Sequence, residues 1–335
     1  MVRGALVQRK AAVLTPSSLA CLRHMPTVNL TAGCAHGCLY CYARSYGQNP
    51  EQDRVEVYTN ILEKLREELP RKRRRPSAVY FSPSSDVFQP VPEVLRLAYD
   101  IFDDLLRRRI RVSFLTKGRI PTRHMELLAA HAPLVHAGIG LTTLDSHVSG
   151  LFEPHAAPPK VRVAQIAALV RAGIGVQGRL DPILPGVTDD DQTLQDVFRT
   201  LADIGVRDAA VSTAFMRPAI ARVLREQLPD RTMADRLLRH YGRGCRLTIA
   251  GAGTGMVMPA ATTRRAIYDR ARRIAARHGV EVRVCACKNS DLARGSCHIA
   301  GPAPTAGERH AQASLFAIGE ATDGLTNDMT PQGTR

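Results

Sequence analysis

Three cysteines within eight residues, Cys34, Cys38 and Cys41 in GCAHGCLYCYAR, stand in the spacing CxxxCxxC. Three thiolates this close are hard to account for as packing, and the chemistry they suit is metal ligation. Iron–sulfur clusters are usually held by four cysteine thiolates, so a local set of three leaves one iron free to bind a small molecule. Zinc is the alternative, but a structural zinc site closes with four ligands and would recruit His36 or Cys21 as the fourth. A second group, Cys285, Cys287 and Cys297 in VCACKNSDLARGSCHIAG, with Cys245 upstream, offers four ligands for a further iron–sulfur cluster or a zinc ion. The competing reading of that group is buried or idle thiols, which behave as small hydrophobes. Eight cysteines in 335 residues are unlike the framework of a small secreted disulfide domain, so the expected compartment is the cytoplasm.

These side chains have to be positioned by a scaffold, and from residue 27 a strand-then-helix rhythm repeats about six times. The strand candidates are TVNLT (27–31), AVYFS (78–82), RVSFL (111–115), VHAGIGL (135–141), IGVQGRL (174–180) and DAAVST (208–213). Mostly apolar runs of this kind, separated by amphipathic helices, argue for a parallel sheet covered on both faces. Asn60 and Glu63 stand in capping-box register before Ile61, Leu62, Leu65 and Leu69, with Pro70 expected just past that helix. Further helices are expected from Pro92 to about Arg108, from Pro121 to about His131, and from Lys160 to Ala172 with Gly173 closing it. In α/β barrels the loops at the C-terminal ends of strands build the site. Ser84, Ser85 and Asp86 fall after the second strand, Lys117 after the third, Asp145, Glu153 and His155 after the fourth, and Asp181 and Asp189 after the fifth. Arg179 and Arg217 lie near strand ends and could meet a carboxylate or phosphate. Turn chemistry is the competing reading for the aspartates, and Asp189 can cap the helix after it.

The CxxxCxxC motif directly after a first strand, together with six strands, resembles the radical S-adenosylmethionine (SAM) superfamily. That resemblance implies an α/β fold, a partial (β/α)6 TIM-like barrel of the radical SAM type, here with a C-terminal α+β extension. It implies a 4Fe-4S cluster whose open iron chelates SAM, and reductive cleavage that releases a 5′-deoxyadenosyl radical to abstract hydrogen. A reductase, flavodoxin or ferredoxin is then implied as electron donor. Within the superfamily the wording is similar to the spore photoproduct lyase-like group, through the cysteine segment, SSD after the second strand and TK after the third, over roughly residues 25–215. By that resemblance Ser85 and Lys117 match positions that contact SAM, Asp86 stands beside them, and Tyr40 or Tyr42 packs around cluster or adenine. The lyases carry a hydrogen-donating cysteine where this chain has Ser84. A serine O–H bond is too strong for that role, so a different substrate, or a donor elsewhere such as Tyr42 or another cysteine, is required.

Lys and Arg outnumber Asp and Glu by 46 to 31, a formal charge of +15 that favours a polyanionic partner such as DNA. The runs RKRRR (71–75) and RRR (107–109) follow expected helices, where a solvated surface or a helix C-terminus also explains them. No membrane partner is expected, since no stretch approaches the roughly 18 apolar residues of a span. We expect an N-terminal segment (1–24), the partial barrel (25–217), a C-terminal extension (218–300) with helices near 218–241 and 261–278 and strands at 246–251 and 281–285, and a flexible tail (301–335). In that tail Gln312 to Phe316, QASLF, is similar to the QxxLF peptides that dock on the replication sliding clamp. The expected function is radical SAM chemistry in DNA repair or nucleic-acid modification. The alternatives are modification of a peptide, nucleoside or small metabolite, and a non-catalytic, metal-stabilised nucleic-acid-binding protein.

Overall fold

The strand runs expected from sequence form one open, twisted sheet in the computed structural model, which describes residues 3–23, 25–45, 50, 54–249 and 255–301. Its strands are β1 (Thr15–Pro16), β2 (Pro26–Val28), β3 (Ala78–Phe81), β4 (Arg111–Thr116), β5 (Val135–Gly140), β6 (Gly175–Ile183), β7 (Asp208–Thr213) and β8 (Glu281–Val284). The order across the sheet is β8-β7-β6-β5-β4-β3-β2-β1. β2 to β8 pair in parallel, and β1 joins antiparallel to β2. The order runs from edge to edge without closing, as a partial barrel requires. β8, expected in the C-terminal extension, is in fact the seventh parallel strand and pairs with β7. A smaller sheet sets Arg54–Tyr58 between Arg3–Val7 and Thr31–Ala32. The expected first strand therefore divides: its start belongs to the main sheet and its end to the smaller one.

The helices are α1 (Ile61–Arg71), α2 (Pro92–Arg107), α3 (Thr122–Ala130), α4 (Ser146–Phe152), α5 (Pro159–Arg171), α6 (Asp191–Asp203), α7 (Pro218–Gln227), α8 (Arg231–Gly242) and α9 (Ala261–Arg277). Asn60 stands at the N-cap of α1 but makes no side-chain cap. Its amide instead accepts from Arg9 N at 2.8 Å and donates to Arg9 O at 3.2 Å, pinning the N-terminal strand. Pro70 lies inside the last turn of α1, one residue before its end, rather than past it. Asp190, not Asp189, caps α6 by accepting from Thr193 N, while Asp189 accepts from Gly186 N at 2.7 Å. The single helix expected near 218–241 is two, α7 and α8, and the strand expected at 246–251 is Cys245–Thr248, paired antiparallel with Gly255–Met258.

The main core lies between sheet and helices, where Phe81, Phe88, Phe102 and Phe114 are fully buried and meet largely edge to face. Burial of each such ring contributes roughly 1.5–3 kcal/mol. A second core gathers Leu39, Tyr40, Phe152 and Phe215 with α7, α8 and Met258, and it covers the loop that carries the cysteine motif. The charged run 71–75 is exposed, as a solvated surface would be. Residues 302–335, including Gln312 to Phe316, lie outside the described residues.

Candidate active site

The CxxxCxxC segment follows Thr31–Ala32 and is held by backbone and side-chain contacts on every side. Gln89, fully buried, accepts from Ala35 N at 2.8 Å and donates to Thr31 Oγ1 at 3.0 Å. Arg44 donates to the carbonyls of Cys38 at 3.0 Å and Gly37 at 2.6 Å, and Leu39 N donates to Phe152 O at 2.9 Å. Gly37 has φ +67°, a left-handed conformation that glycine adopts without strain. With the loop fixed, the thiols of Cys34, Cys38 and Cys41 line one cavity of about 430 Å³. Burial pushes all three thiols up, Cys34 further by the charge of Asp86 and Cys38 by that of Glu153. A ligated metal must therefore displace protons from them. His36 is no spare ligand: Nδ1 faces the His155 carbonyl at 3.2 Å and Nε2 faces Asp86 Oδ2 at 3.1 Å.

Asp86 organises this corner. Its carboxylate accepts from Thr116 Oγ1 at 2.7 Å, Phe88 N at 2.8 Å and Lys117 N at 2.8 Å besides meeting His36. Burial pushes the Asp86 carboxyl up, but His36 and those donors outweigh it and hold it low. The carboxylate is thus taken up by the loops after β3, β4 and the cysteine motif, and it holds them in register. Lys117 points from the end of β4 into the cavity, with Nζ 3.1 Å from Glu153 Oε1 and 3.2 Å from Thr142 Oγ1. Glu153 is wholly buried and is shared with Arg162, Tyr40 and Thr142. Burial pushes its carboxyl up, yet Lys117 and Arg162 together hold it well below the usual range. Two cations therefore face one carboxylate, and the surplus positive charge sits on the lysine at the cavity wall.

Polar edges of the cavity come from the turn after β3. The hydroxyls of Ser82 and Ser85 are buried without a hydrogen-bond partner and line the cavity. Ser82 also has φ +51°. Buried hydroxyls left open in this way suit a polar ligand. Ser84 N donates to Asn29 Oδ1 at 3.2 Å, and Ser84 also lines the cavity. The Tyr42 hydroxyl donates to the Pro83 carbonyl, and its ring lies 6.1 Å from that of Phe215. Tyr40 is buried, with its ring 5.8 Å from Lys117 Nζ. Asp145 caps α4 and is a turn residue, and Arg217 donates to the Gly255 carbonyl. Glu153 and Asp181 are both buried within ion pairs, Asp181 with Arg179 at 3.1 Å and Lys288 at 2.6 Å. Gln89, Thr142 and Arg162 carry no sequence signal, because nothing local separates them from ordinary polar residues. Ser82 reads as the last residue of a strand.

At the other end of the same cavity stand Cys21, Cys285, Cys287 and Cys297. Cys285, Cys287 and Cys297 share one buried cluster, and Cys21 packs against it. Interaction among the four thiols pushes Cys287 and Cys297 down and Cys21 and Cys285 up. Cys245, expected as the fourth member, is not among them. Its sulfur lies 3.2 Å from Arg264 Nη2 and 3.6 Å from the Pro259 carbonyl, on the hairpin Cys245–Met258. Cys21 takes its place because the segment after β1 packs against Ala210 of β7. All eight cysteines are free. Among the described residues no group of three or more His, Cys, Asp or Glu side chains is arranged to hold a metal ion as it stands.

A sequence model of the radical SAM superfamily matches residues 28–199, just over half the chain. The chain is 30% identical over 217 residues to an uncharacterized protein of Mycobacterium tuberculosis, a match that takes in 62% of this chain and 64% of that protein. It is 26% identical over 224 residues to the radical SAM Nalpha-GlyT isomerase of Pseudomonas phage M6, across 65% of this chain and 46% of that one. Among solved structures, a spore photoproduct lyase variant superposes with TM-score 0.66 at 16% identity, over 84% of this chain and 82% of the lyase. A variant with bound AdoMet and dinucleoside spore photoproduct superposes with TM-score 0.66 at 15% identity, over 83% and 81%. At that identity the likeness is one of fold. Among the described residues no helix is long and apolar enough to cross a membrane.

Proposed function

Since the chain belongs to the radical SAM superfamily, we propose that Cys34, Cys38 and Cys41 hold a 4Fe-4S cluster and that Lys117 receives the carboxylate of SAM. The observation that carries this reading is the convergence of three thiols and the Lys117 ammonium on one cavity. When bound, the cluster and SAM supply reductive cleavage and a hydrogen-abstracting radical. The chain's own residues bind and orient. Glu153 fixes the lysine rotamer while leaving net positive charge at the wall, so an incoming carboxylate forms a charge-assisted hydrogen bond with an ammonium already in place. Ser82 and Ser85 offer unpartnered hydroxyls to polar atoms of the ligand. Tyr40, Tyr42 and Phe215 wall the cavity with aromatic surface and keep water from the reacting centre. Ser84 lines the same space but cannot donate a hydrogen atom readily, so quenching of a product radical falls to Tyr42.

For substrate we favour nucleic acid, in repair or modification. The formal charge of +15 and the fold shared with a lyase that carries a dinucleoside photoproduct both support this direction. Direct reversal of a thymine dimer by the lyase's route is disfavoured by Ser84. The reaction would run in the cytoplasm, with a reductase, flavodoxin or ferredoxin delivering the electron and QASLF (312–316) docking the enzyme on the sliding clamp. Fluorescence anisotropy with labelled DNA at several salt concentrations tests the substrate class. We expect log K to fall linearly with log salt, by one to three powers of ten between about 50 and 200 mM. Salt-independent or absent binding to single- and double-stranded DNA would turn the assignment to a peptide or small metabolite.

A further inference from the structure

β1 and β8 are opposite edges of an eight-stranded sheet, yet the residues just beyond them meet. Cys21 lies five residues after β1, and Cys285 directly follows β8. Together with Cys287 and Cys297 they pack against Ala210 of β7. Cys285, Cys287 and Cys297 are buried in one small cluster against which Cys21 packs, and all four line the same end of one cavity. The charges nearby point the same way. Arg179, fully buried, reaches Cys297 Sγ at 3.6 Å, and Lys288 follows Cys287 in the chain. Both cations pair with the single carboxylate of Asp181, which leaves one positive charge beside four thiols. Gln177, also fully buried, donates to the Cys297 carbonyl at 2.9 Å and accepts from Arg179 at 2.9 Å, so the loop bearing Cys297 is held against the cation.

We propose that Cys21, Cys285, Cys287 and Cys297 form a second metal centre, a four-thiolate site for a thiophilic metal, which clasps the two edges of the open barrel together. Rotation about one side-chain bond in each cysteine exchanges thiol–thiol contacts for metal–sulfur bonds, and the thiol protons leave to solvent. The net negative charge of a four-thiolate centre is met by the surplus cation of the Arg179–Asp181–Lys288 group. Four clustered thiols suit one tetrahedral ion, with metal–sulfur distances of about 2.3 Å for zinc. An iron–sulfur cluster uses the same ligands at wider separation. Cys245 has no part in it. The inference stands apart from the assignment of the CxxxCxxC thiols, although both sets border one cavity.

The test uses the full chain with Cys34→Ala, Cys38→Ala and Cys41→Ala, purified anaerobically without reconstitution, so that metal content reports the second set alone. Elemental analysis should find about one zinc per chain, or iron with matching sulfide, the two outcomes telling ion from cluster. In that background Cys245→Ser should keep the metal, while Cys21→Ser and Cys297→Ser should lose it at least about tenfold, a difference of roughly 1.4 kcal/mol or more in binding. Cys21 is only partly buried, so its substitution leaves the fold intact, which far-UV circular dichroism checks. The inference is overturned if the triple variant carries no stoichiometric metal, if Cys21→Ser retains it, or if mass analysis finds the four sulfurs joined as disulfides. Deoxyadenosine formation by the wild-type chain reads the first cluster and fails or succeeds independently.

Discussion

Lys117 and Glu153 show how two residues with ordinary sequence surroundings become a site. The carboxylate is fully buried and the ammonium is the one cation of the cluster that reaches the cavity. Lys117→Ala leaves Glu153 paired with Arg162, so the fold should persist. It should weaken SAM binding by about ten- to a hundredfold, the worth of one charge-assisted hydrogen bond, measured by equilibrium dialysis on reconstituted protein. Glu153→Gln is a different experiment. It strands Arg162 and Lys117 without their counter-charge, and calorimetry should report a loss of about 3–5 kcal/mol in stability. Unchanged stability in that variant would mean that the carboxylate is not the hub described.

β5 carries two features that only the assembled sheet explains. His136 is 6% exposed, and its Nε2 has no hydrogen-bond partner. Burial pushes its pKa down to about 4 from 6.5, aided by Arg111, Arg179 and His298. An unfolded imidazole takes a proton near 6.5 and the folded one only near 4, so this residue's contribution is whole above pH 6.5 and is lost as pH falls through that window. The loss amounts to about 3 kcal/mol, and His136→Asn should flatten it in urea titrations run from pH 7 to 4. Gly140 ends the same strand, and a Cβ there would stand 2.7 Å from Lys117 Nζ. Gly140→Ala should therefore displace the lysine and weaken SAM binding much as Lys117→Ala does, with little change in the unfolding midpoint. The parallel strands were legible because their apolar runs must be covered on both faces. β1 and the split of the first strand were not, since two- and three-residue pairings leave no periodicity to read.

Across the whole molecule, legibility follows sequence distance. Cys34, Cys38 and Cys41 lie within one loop, so spacing alone identifies them. The second set joins residue 21 to residues 285–297, and only the curl of the sheet brings its edges together; from spacing, Cys245 was as good a fourth thiol as Cys21. The same holds for Glu153, which meets Lys117 from the next strand–helix unit of the sheet. The central claim is that Cys34, Cys38 and Cys41 support reductive cleavage of SAM. The most direct measurement reconstitutes the full chain anaerobically with iron and sulfide, adds dithionite and SAM, and quantifies 5′-deoxyadenosine beside the Cys38→Ala variant. The account predicts deoxyadenosine and a brown chromophore from the wild-type chain and neither from the variant. Deoxyadenosine at equal yield from both proteins, or from neither while SAM is bound, would contradict it.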